Sequence, residues 1–308
     1  MAEAPGLPAG TGVRLVPMTA DRFRSWSTAS RRGFAAQQVA SGATPPREAE
    51  EYADREFGLL LPAGPATPDH HLWSVYAGDE EIGHVWLRVS AAEHGPEAFL
   101  FDIALLPSAR GRGLGRATML AVESAARGLR ASRMRLNVFA HNTVARGLYD
   151  SLGYLPETTY VVLRPDDTDP APKHCALPHV VLAPMTWAGF DTYVTGASED
   201  KVALLPDGLA TLDHFFWTAT DAGREVGTLW LRIAPKSDGP HAEVLDCSVA
   251  ESHYAGPLLV GAGEICRERG VVALEARVAG TDPDGWSVHQ ALGFTVVAQV
   301  LEKVLRAR

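Results

Sequence analysis

The stretch Arg110-Gly111-Arg112-Gly113-Leu114-Gly115 decides how this chain is interpreted. It follows an apolar, strand-like segment that ends at Pro107, and a helical pattern comes after it. Alternating glycines permit positive φ angles and let a ligand lie against the backbone, because no Cβ stands in the way. The N–H groups of the helix start that follows form an anion site. The sequence therefore predicts a loop that holds a pyrophosphate, to which Arg112 and Arg116 would add charge-assisted hydrogen bonds.

The spacing of the glycines selects the type of phosphate loop. A P-loop ends in Gly-Lys-Ser/Thr, and residues 1–164 contain no lysine. A dinucleotide-binding loop has the spacing G-x-G-x-x-G, which Gly111, Gly113 and Gly115 do not follow. The pattern Arg110-x-x-Gly113-x-Gly115 resembles instead the coenzyme A loop, R/Q-x-x-G-x-G/A, of the GCN5-related N-acetyltransferase (GNAT) superfamily.

A second segment carries the same resemblance. After a strand-like run from Met134 to Ala140, the sequence from Asn142 to Tyr154 is similar to the family segment N-x-x-A-x-x-x-Y-x-x-x-G-F/Y. Asn142 suits the N-cap of a helix and Gly153 its C-cap, and the apolar residues between them fall on one helical face. Two motifs in the family's order, each on the expected element, identify the first half of the chain as a member of this superfamily.

The resemblance implies roles for individual residues. Tyr149 would be the general acid that protonates the departing coenzyme A thiolate, and Asn142 would contact the coenzyme. The alternative roles are a buried core aromatic for Tyr149 and a helix cap for Asn142. The backbone of residues 103–105 (Ile103, Ala104 and Leu105) would pair with the pantetheine amides as an added strand. The residues expected around the pyrophosphate are Arg110, Gly111, Arg112, Gly113, Leu114, Gly115 and Arg116.

A general base is not evident from the motifs. Family members often place a glutamate on the strand before the loop, at the position of Phe99 here. Asp102 recurs as Asp246 in the second half of the chain, which favours a structural hydrogen-bonding role for this residue. The candidates near the loop are Glu97, Asp102, His84 and His141.

The sequence repeats itself on either side of a proline-rich segment at residues 165–178, which is typical of a linker. Ile82–Arg88 recurs as Val226–Arg232, and Leu152–Tyr154 recurs as Leu292–Phe294. We therefore predict a catalytic, acetyl-CoA-binding domain at residues 1–164 and a second domain of the same fold at residues 179–308.

The second copy is predicted to be degenerate. In place of the glycine loop it has Tyr254-Ala255-Gly256-Pro257-Leu258-Leu259, in which the proline removes a backbone N–H group. His289 stands for Tyr149 and Asp282 for Asn142. A structural, substrate-shaping or dimerising role is expected for this copy.

The predicted fold class is α/β (α+β), with two tandem GNAT domains. The resemblance implies that each is a mixed, mostly antiparallel, splayed sheet flanked by helices, with the splay between the strands that end near Leu105 and Ala140. Hydrophobic patterning supports the element order β-α-α-β-β-β-α-β-α for the first copy. Its first five elements are predicted at Val13–Val16, Ala20–Ser41, Pro46–Leu59, His71–Ala77 and Glu81–Ser90.

Composition narrows the partners. The whole net charge of −9 lies in residues 165–308, which argues against a nucleic acid. No apolar run approaches the roughly 20 residues that span a bilayer, and no signal pattern opens the sequence, so we expect no membrane partner and a cytoplasmic location. Cys175, Cys247 and Cys266 lack C-x-x-C spacing, so neither a disulfide framework nor a metal site is expected.

These features predict an enzyme. It would be an N-acyltransferase that moves an acetyl group from acetyl-CoA to a primary amine of a small molecule, by direct attack in a ternary complex, as in natural-product or antibiotic modification. Acceptor selectivity is assigned to the two helices after the first strand. One alternative is a non-catalytic acyl-CoA-binding regulatory module. Another is a mycothiol-synthase-like acetyltransferase, although the competent copy in that family is the C-terminal one. Acyl chain length and oligomeric state stay open, with a homodimer among the options.

Overall fold

The computed structural model describes residues 12–93, 95–165, 180–280 and 283–305, and these residues group into two compact units. The first unit comprises the chain up to Thr158 together with the residues from Ala298 onward. The second unit runs from Thr159 to Val297. The predicted linker at 165–178 lies outside the described residues except for Pro165.

The first unit has the predicted α/β element order. Its elements are β1 (Val13–Pro17), α1 (Ala20–Ser41), α2 (Ala49–Leu60), β2 (His70–Ala77), β3 (Glu80–Ser90), β4 (Glu97–Leu105), α3 (Leu114–Gly128), β5 (Arg133–Phe139), α4 (Thr143–Ser151) and the first part of β6 (Leu155–Leu163). One predicted boundary is wrong by more than one residue: α2 begins at Ala49 and not at Pro46. The N–H group of Glu48 donates to the carbonyl of Pro45 at 3.0 Å, so these residues form a turn before the helix starts.

The sheet of the first unit is mixed and mostly antiparallel, as predicted. Strands β1, β2, β3 and β4 pair in sequence order and antiparallel. Strand β5 then pairs parallel to β4. The next partner of β5 is the last strand of the chain, β12 (Thr295–Val304), whose residues Ala298–Val304 run antiparallel to it.

The two faces of this sheet are covered by different helices, because successive strand side chains point to opposite faces. On one face, Val85 and Leu87 belong to the same buried cluster as Met119 and Val122 of α3. On the other face, Trp86 packs with Trp26 of α1 at a ring-centroid distance of 5.6 Å. Helices α1 and α2 therefore cover the face that carries Trp86.

The end of the chain contributes to the core of the first unit. Leu301 and Leu305 are buried in the cluster that also holds Met119. Lys303 Nζ lies 2.7 Å from Oε1 of the buried Glu123. Removing one partner of a buried ion pair typically costs about 3–5 kcal/mol, so this strand is an integral part of the unit.

The second unit repeats the architecture. Beside residues 159–163 of β6, its sheet has the order β11-β10-β9-β8-β7. Its own elements are β7 (Val180–Pro184), α5 (Trp187–Gly196), α6 (Glu199–Val202), β8 (His214–Asp221), β9 (Arg224–Lys236), β10 (Gly239–Val249), α7 (Ala255–Glu268), β11 (Ala273–Ala279) and α8 (Pro283–Ala291). The units therefore differ from the predicted ranges 1–164 and 179–308: residues 159–163 belong with the second unit and residues 298–305 with the first.

The repeat is also visible in side-chain contacts. Trp86 Nε1 donates to His70 Nδ1 at 2.8 Å, and Trp230 Nε1 donates to His214 Nδ1 at 3.0 Å. The backbone gives a further match, since Asp69 and Asp213 both have positive φ, at 65° and 64°. The two units are thus copies of one fold.

Candidate active site

Strands β4 and β5 separate half-way along their length. Their parallel pairing extends from Glu97 with Arg133 to Leu100 with Leu136. A register shift follows in β4, where Phe101 is the extra residue between the two pairings with β3. Bulges bend a strand and increase its twist. Residues 101–105 consequently diverge from β5, and this stretch holds the predicted pantetheine-binding residues Ile103, Ala104 and Leu105.

The glycine loop lies at the end of this diverging stretch. A single 3₁₀ turn at Pro107–Ala109 leads to Arg110–Gly113, and α3 begins at Leu114. Gly111 and Gly113 have φ angles of 71° and 76°, in the left-handed region that side chains disfavour. Gly113 is the N-cap of α3, with no side-chain cap bond. The N–H groups of the first turn are therefore available for a ligand, as they have no partner within the helix.

The three arginines near the loop have different environments. Arg110 Nε donates to the carbonyl of Leu105 at 3.1 Å. Arg116 Nη1 donates to the hydroxyl of Ser151 at 2.9 Å, so its side chain bridges α3 and α4. The exposed Arg112 makes no hydrogen bond or ion pair to any of the described residues. Of the three arginines, Arg112 is thus the one whose guanidinium has no hydrogen-bond partner among the described residues of the unit.

Helix α4 carries the two motif residues. Asn142 Oδ1 accepts from the N–H group of Ala145 at 3.2 Å, so Asn142 caps the helix as its residue type suggests. Tyr149 is buried, with its ring centroid 5.8 Å from that of Tyr154. Burial, and then the charge of Asp102, raise the pKa of Tyr149 to about 12. Its hydroxyl therefore holds its proton at neutral pH.

Asp102 is the centre of a hydrogen-bond cluster. Its Oδ2 accepts from Ser30 Oγ at 2.6 Å and from Trp26 Nε1 at 3.3 Å. His84 Nε2 lies 3.1 Å from the same oxygen. Asp102 and His84 were each predicted from the sequence as candidate bases, whereas Ser30 was not predicted to take part. No local signal could have found it, because Ser30 and Asp102 are 72 positions apart.

The other candidate bases lie in different surroundings. Glu97 has its Oε1 3.8 Å from Nε of Arg133 in an ion pair. His141 is exposed and stacks on Phe139 at a centroid distance of 5.7 Å. Neither belongs to the cluster around Asp102.

The second unit lacks the glycine loop of the first. Its strands also diverge, since the parallel pairing of β10 with β11 covers only His241–Glu243 and a register shift follows. However, its 3₁₀ turn at Ser252–Tyr254 runs directly into α7 at Ala255, whereas four residues separate the turn from the helix in the first unit. The alignment of Arg110–Gly115 with Tyr254–Leu259 is therefore wrong: the loop is deleted, not substituted.

Three further features of this copy lie near the position of the missing loop. Tyr254 is buried, and its hydroxyl donates to Asp221 Oδ2 at 2.9 Å. Pro257 lies in the first turn of α7, where a missing N–H group is tolerated. A cavity of about 390 Å³ persists between the strands, lined in part by Asp246, Cys247 and His289. Asp282, which stands for Asn142, lies outside the described residues.

Comparison with known proteins gives the family. The profile of the Acetyltransferase (GNAT) family matches residues 35–154. An uncharacterized N-acetyltransferase of Bacillus subtilis, YycN, is 35% identical over 143 residues, which are 46% of this chain and 92% of the relative. The chain belongs to the GNAT family. The predicted superfamily is thereby confirmed, and homologues that are named N-acetyltransferases support acetyltransferase activity.

Other similarities extend over different parts of this GNAT protein. A GCN5-related N-acetyltransferase from Sphaerobacter thermophilus matches 98% of both chains with a TM-score of 0.56 at 18% identity, which shows the fold over the whole length. The mycothiol acetyltransferase of Renibacterium salmoninarum is 35% identical over 85 residues, which are 27% of this chain and 25% of that protein.

Two negative findings concern possible cofactors and membranes. Within the part of the chain that the structure describes, no group of three His, Cys, Asp or Glu residues is placed to hold a metal ion. No helix among those residues is both long enough and apolar enough to cross a bilayer.

Proposed function

We propose that this GNAT protein is an N-acyltransferase whose first unit transfers the acetyl group of acetyl-CoA to a primary amine of a small molecule. The observation that carries the proposal is the convergence of three features in one unit. These are the divergence of β4 from β5, the left-handed glycines before α3, and the buried Tyr149 on α4.

The donor would bind along these features. The pyrophosphate fits the loop at Arg110–Gly113 and the first N–H groups of α3, because left-handed glycines leave no Cβ above the backbone. Arg112 would supply a charge to the phosphates. The pantetheine amides would pair with the backbone of residues 103–105, where β4 no longer pairs with β5.

Direct attack by the amine is favoured because neither a cysteine nor Ser30 can serve as a nucleophile in the first unit. Residues 1–164 contain no cysteine. In the second unit, Cys247 and Cys266 are buried enough for the pKa of each thiol to be raised to about 12, so neither is a reactive thiolate. Ser30 donates to Asp102 and not to an imidazole, so it is not activated as in a Ser-His-Asp triad. Tyr149, which is protonated at neutral pH, would give its proton to the departing sulfur.

The acceptor would bind beneath α1 and α2. These helices cover the sheet face that bears Trp86, His84 and Asp102, and they carry the stacked pair Phe34 and Tyr52 at a centroid distance of 5.9 Å. Glu50 and Glu51 are exposed in the first turn of α2, where acidic residues stabilise a helix start. An antibiotic or natural-product amine and a cytoplasmic location stay predictions.

The mycothiol alternative has less support. The matches to two mycothiol acetyltransferases cover only 25% and 33% of those proteins. In this chain, moreover, the glycine loop is present in the first unit and deleted from the second. We therefore keep the acceptor at the level of a primary amine.

The experiment is calorimetric titration of acetyl-CoA into the full-length protein, followed by a turnover assay that detects the free coenzyme A thiol with a chromogenic disulfide. A panel of phenethylamine, glucosamine, spermidine, lysine and kanamycin would serve as acceptors. We expect one site per chain, abolished when residues 110–113 are deleted, because the second unit folds without the equivalent residues.

Three outcomes would contradict this proposal in different ways. Absence of acetyl-CoA binding would overturn it entirely. Two sites per chain would show that the cavity of the second unit binds the coenzyme as well. Binding without turnover of any amine would favour the non-catalytic acyl-CoA-binding module.

A further inference from the structure

Acyl transfer to a primary amine requires a group that removes a proton from the amine. An alkylammonium has the ordinary pKa of a lysine side chain, near 10.4, so the acceptor arrives protonated at neutral pH. A protonated amine has no lone pair with which to attack a thioester. Tyr149 cannot take this proton, because it is itself protonated at neutral pH. Phe99, at the strand position where the family resemblance implies a glutamate, has no group that accepts a proton.

Asp102 is also unsuited to be this proton acceptor. Burial alone would raise the pKa of its carboxyl, but hydrogen bonding to His84, the charge of His84 and the bonds from Ser30 and Trp26 outweigh burial and lower the pKa. All three hydrogen-bonding partners converge on the single oxygen Oδ2. A carboxylate so well stabilised in its ionised form is a weak base.

His84 is held in a fixed orientation by the same carboxylate. Its Nε2 faces Asp102 Oδ2 at 3.1 Å, and its ring meets the indole of Trp26 edge-on at 6.2 Å. Since the carboxylate accepts, Nε2 carries the hydrogen and Nδ1 holds the lone pair. Nδ1 has no hydrogen-bond partner among the described residues, and 19% of the side chain remains exposed. The imidazole thus presents an unused basic nitrogen.

We infer that His84 accepts the proton of the acceptor ammonium through Nδ1, with Asp102 as the residue that positions it and stabilises the imidazolium. This inference rests on the proposed function. Ser30 and Trp26 act one step further away, because their hydrogen bonds hold the same carboxylate oxygen that faces Nε2.

The proton and electron balance is complete with the groups named. The ammonium gives one proton to Nδ1, and the freed lone pair forms the N–C bond to the thioester carbonyl. The C–S bond then breaks with its electron pair on sulfur, which takes the proton of Tyr149. The nitrogen of the adduct returns its extra proton to the tyrosine oxygen, and the imidazolium releases its own to water. Amide, free thiol and one proton result.

The second unit supports this role of His84, because it has no histidine at the equivalent position. It keeps the carboxylate, as Asp246, but Thr228 stands in place of His84. Lys201 Nζ binds Asp246 Oδ1 at 2.7 Å, and the Tyr193 hydroxyl donates to Oδ2 at 3.0 Å. A structural carboxylate therefore needs no histidine in this fold. The unit without a coenzyme loop is also the unit without the imidazole.

The charged and titratable groups around His84 are few. On β4 the group is Asp102. On α4 it is Tyr149, and the charge of Asp102 contributes to raising the pKa of this tyrosine. Facing His84 on β2 is Ser74, which donates to Glu81 at 3.3 Å. Glu81 in turn lies 2.6 Å from Nε of Arg22 on α1, so its charge is neutralised locally. Asp102 is thus the charged residue that contacts His84 directly.

The test compares the full-length wild type with His84→Gln, using acetyl-CoA and whichever panel amine turns over fastest. We expect kcat/KM near pH 7 to fall about 100- to 1000-fold, within the usual range for a lost general base, while acetyl-CoA affinity stays within about twofold, since no coenzyme-binding group changes. The deficit should shrink as pH rises towards the pKa of the amine, because free amine then arrives without help. His253→Gln is the control, since His253 is half exposed in the second unit.

Each result decides something. A wild type that binds acetyl-CoA but acetylates no amine overturns both the proposed function and this inference. An active wild type with an equally active His84→Gln variant overturns the inference alone. A deficit that stays constant at every pH also overturns it, because lost structure would not be rescued by free amine.

Discussion

The indole Nε1 of Trp86 donates a hydrogen bond to Nδ1 of His70 at 2.8 Å, and this bond requires His70 to be neutral at that nitrogen. Burial, and then the charge of Arg88, lower the pKa of His70. The second unit repeats the arrangement with Trp230 and His214. Burial is again the largest cause that lowers the pKa of this histidine. Both units therefore couple folding to the deprotonated state of the histidine that accepts the tryptophan hydrogen bond.

The first prediction concerns stability and pH. Because the folded pKa of each histidine lies below its unfolded value near 6.5, the unfolded chain binds more protons below that pH. The stabilisation is complete above the unfolded pKa and is lost as pH falls towards the folded pKa. We expect His70→Asn and His214→Asn, which keep an acceptor but cannot titrate, each to lose less stability than wild type between about pH 8 and 5.5. Urea unfolding checks this, and an unchanged pH dependence in the double variant would contradict it.

The second prediction separates two glycines of the loop. Gly113→Ala places a Cβ on a residue with φ of 76°, at a typical cost of about 1–2 kcal/mol, so the loop should change conformation and acetyl-CoA affinity should fall about tenfold or more. Gly115→Ala should have little effect, since its Cβ would lie at an ordinary 3.6 Å from Leu148. Calorimetry measures both affinities.

The control for this pair is Gly78→Ala. Gly78 also has positive φ, at 60°, and open space around it, but it lies in the β2–β3 turn. The Gly78→Ala variant should be less stable than the wild type but should bind acetyl-CoA with the same affinity. If Gly113→Ala binds as tightly as Gly78→Ala, the left-handed loop is not the pyrophosphate site.

The third prediction concerns the unpaired arginine. Arg112→Gln should weaken acetyl-CoA binding about tenfold, as expected for one charge-assisted bond at an exposed site, and this loss should narrow at high salt. Affinity for acetyl-pantetheine, which has no pyrophosphate, should not change. Arg130→Gln is the control, because Arg130 is exposed at the far end of α3. Equal losses for both acetyl donors would show that Arg112 does not contact phosphate.

The fourth prediction concerns Tyr149. Tyr149→Phe should lower kcat by about 100-fold or more, the usual contribution of a general acid, and should leave acetyl-CoA affinity and stability nearly unchanged. Tyr154→Phe is the reverse case: it removes a hydrogen bond to Glu123 and should lower stability while turnover persists. Turnover by Tyr149→Phe at the wild-type rate would show that Tyr149 is a buried core residue and not the general acid.

Local sequence signals predicted much of the first unit. The glycine-rich loop and the Asn142 cap depend on residues a few positions apart, so local spacing suffices to place them. The roles of the loop and of Tyr149 were implied by the family resemblance. The divergence of β4 from β5 came from the family resemblance, since nothing in the composition of residues 101–105 requires a bulge.

Contacts between residues far apart in the sequence could not be predicted from local spacing. Ser30 and Trp26 meet Asp102 only because α1 crosses the sheet face at that point. The loss of the second loop was misread for a related reason: Tyr254–Leu259 looked like a substituted loop, although the 3₁₀ turn shows that four residues are missing. Letter-by-letter comparison cannot distinguish the two without the positions of helix starts.

The last strand of the chain completes the sheet beside β5, and this has a consequence for synthesis on the ribosome. The first unit lacks Leu301 and Leu305 of its core, and the Lys303 partner of Glu123, until residues 159–297 of the second unit have been translated. The segments of the first unit that are translated earlier stay incompletely packed while the second unit is synthesised. A nascent chain halted after residue 164 would therefore leave part of the core of the first unit exposed, and this unit completes its packing only after the second unit has been synthesised.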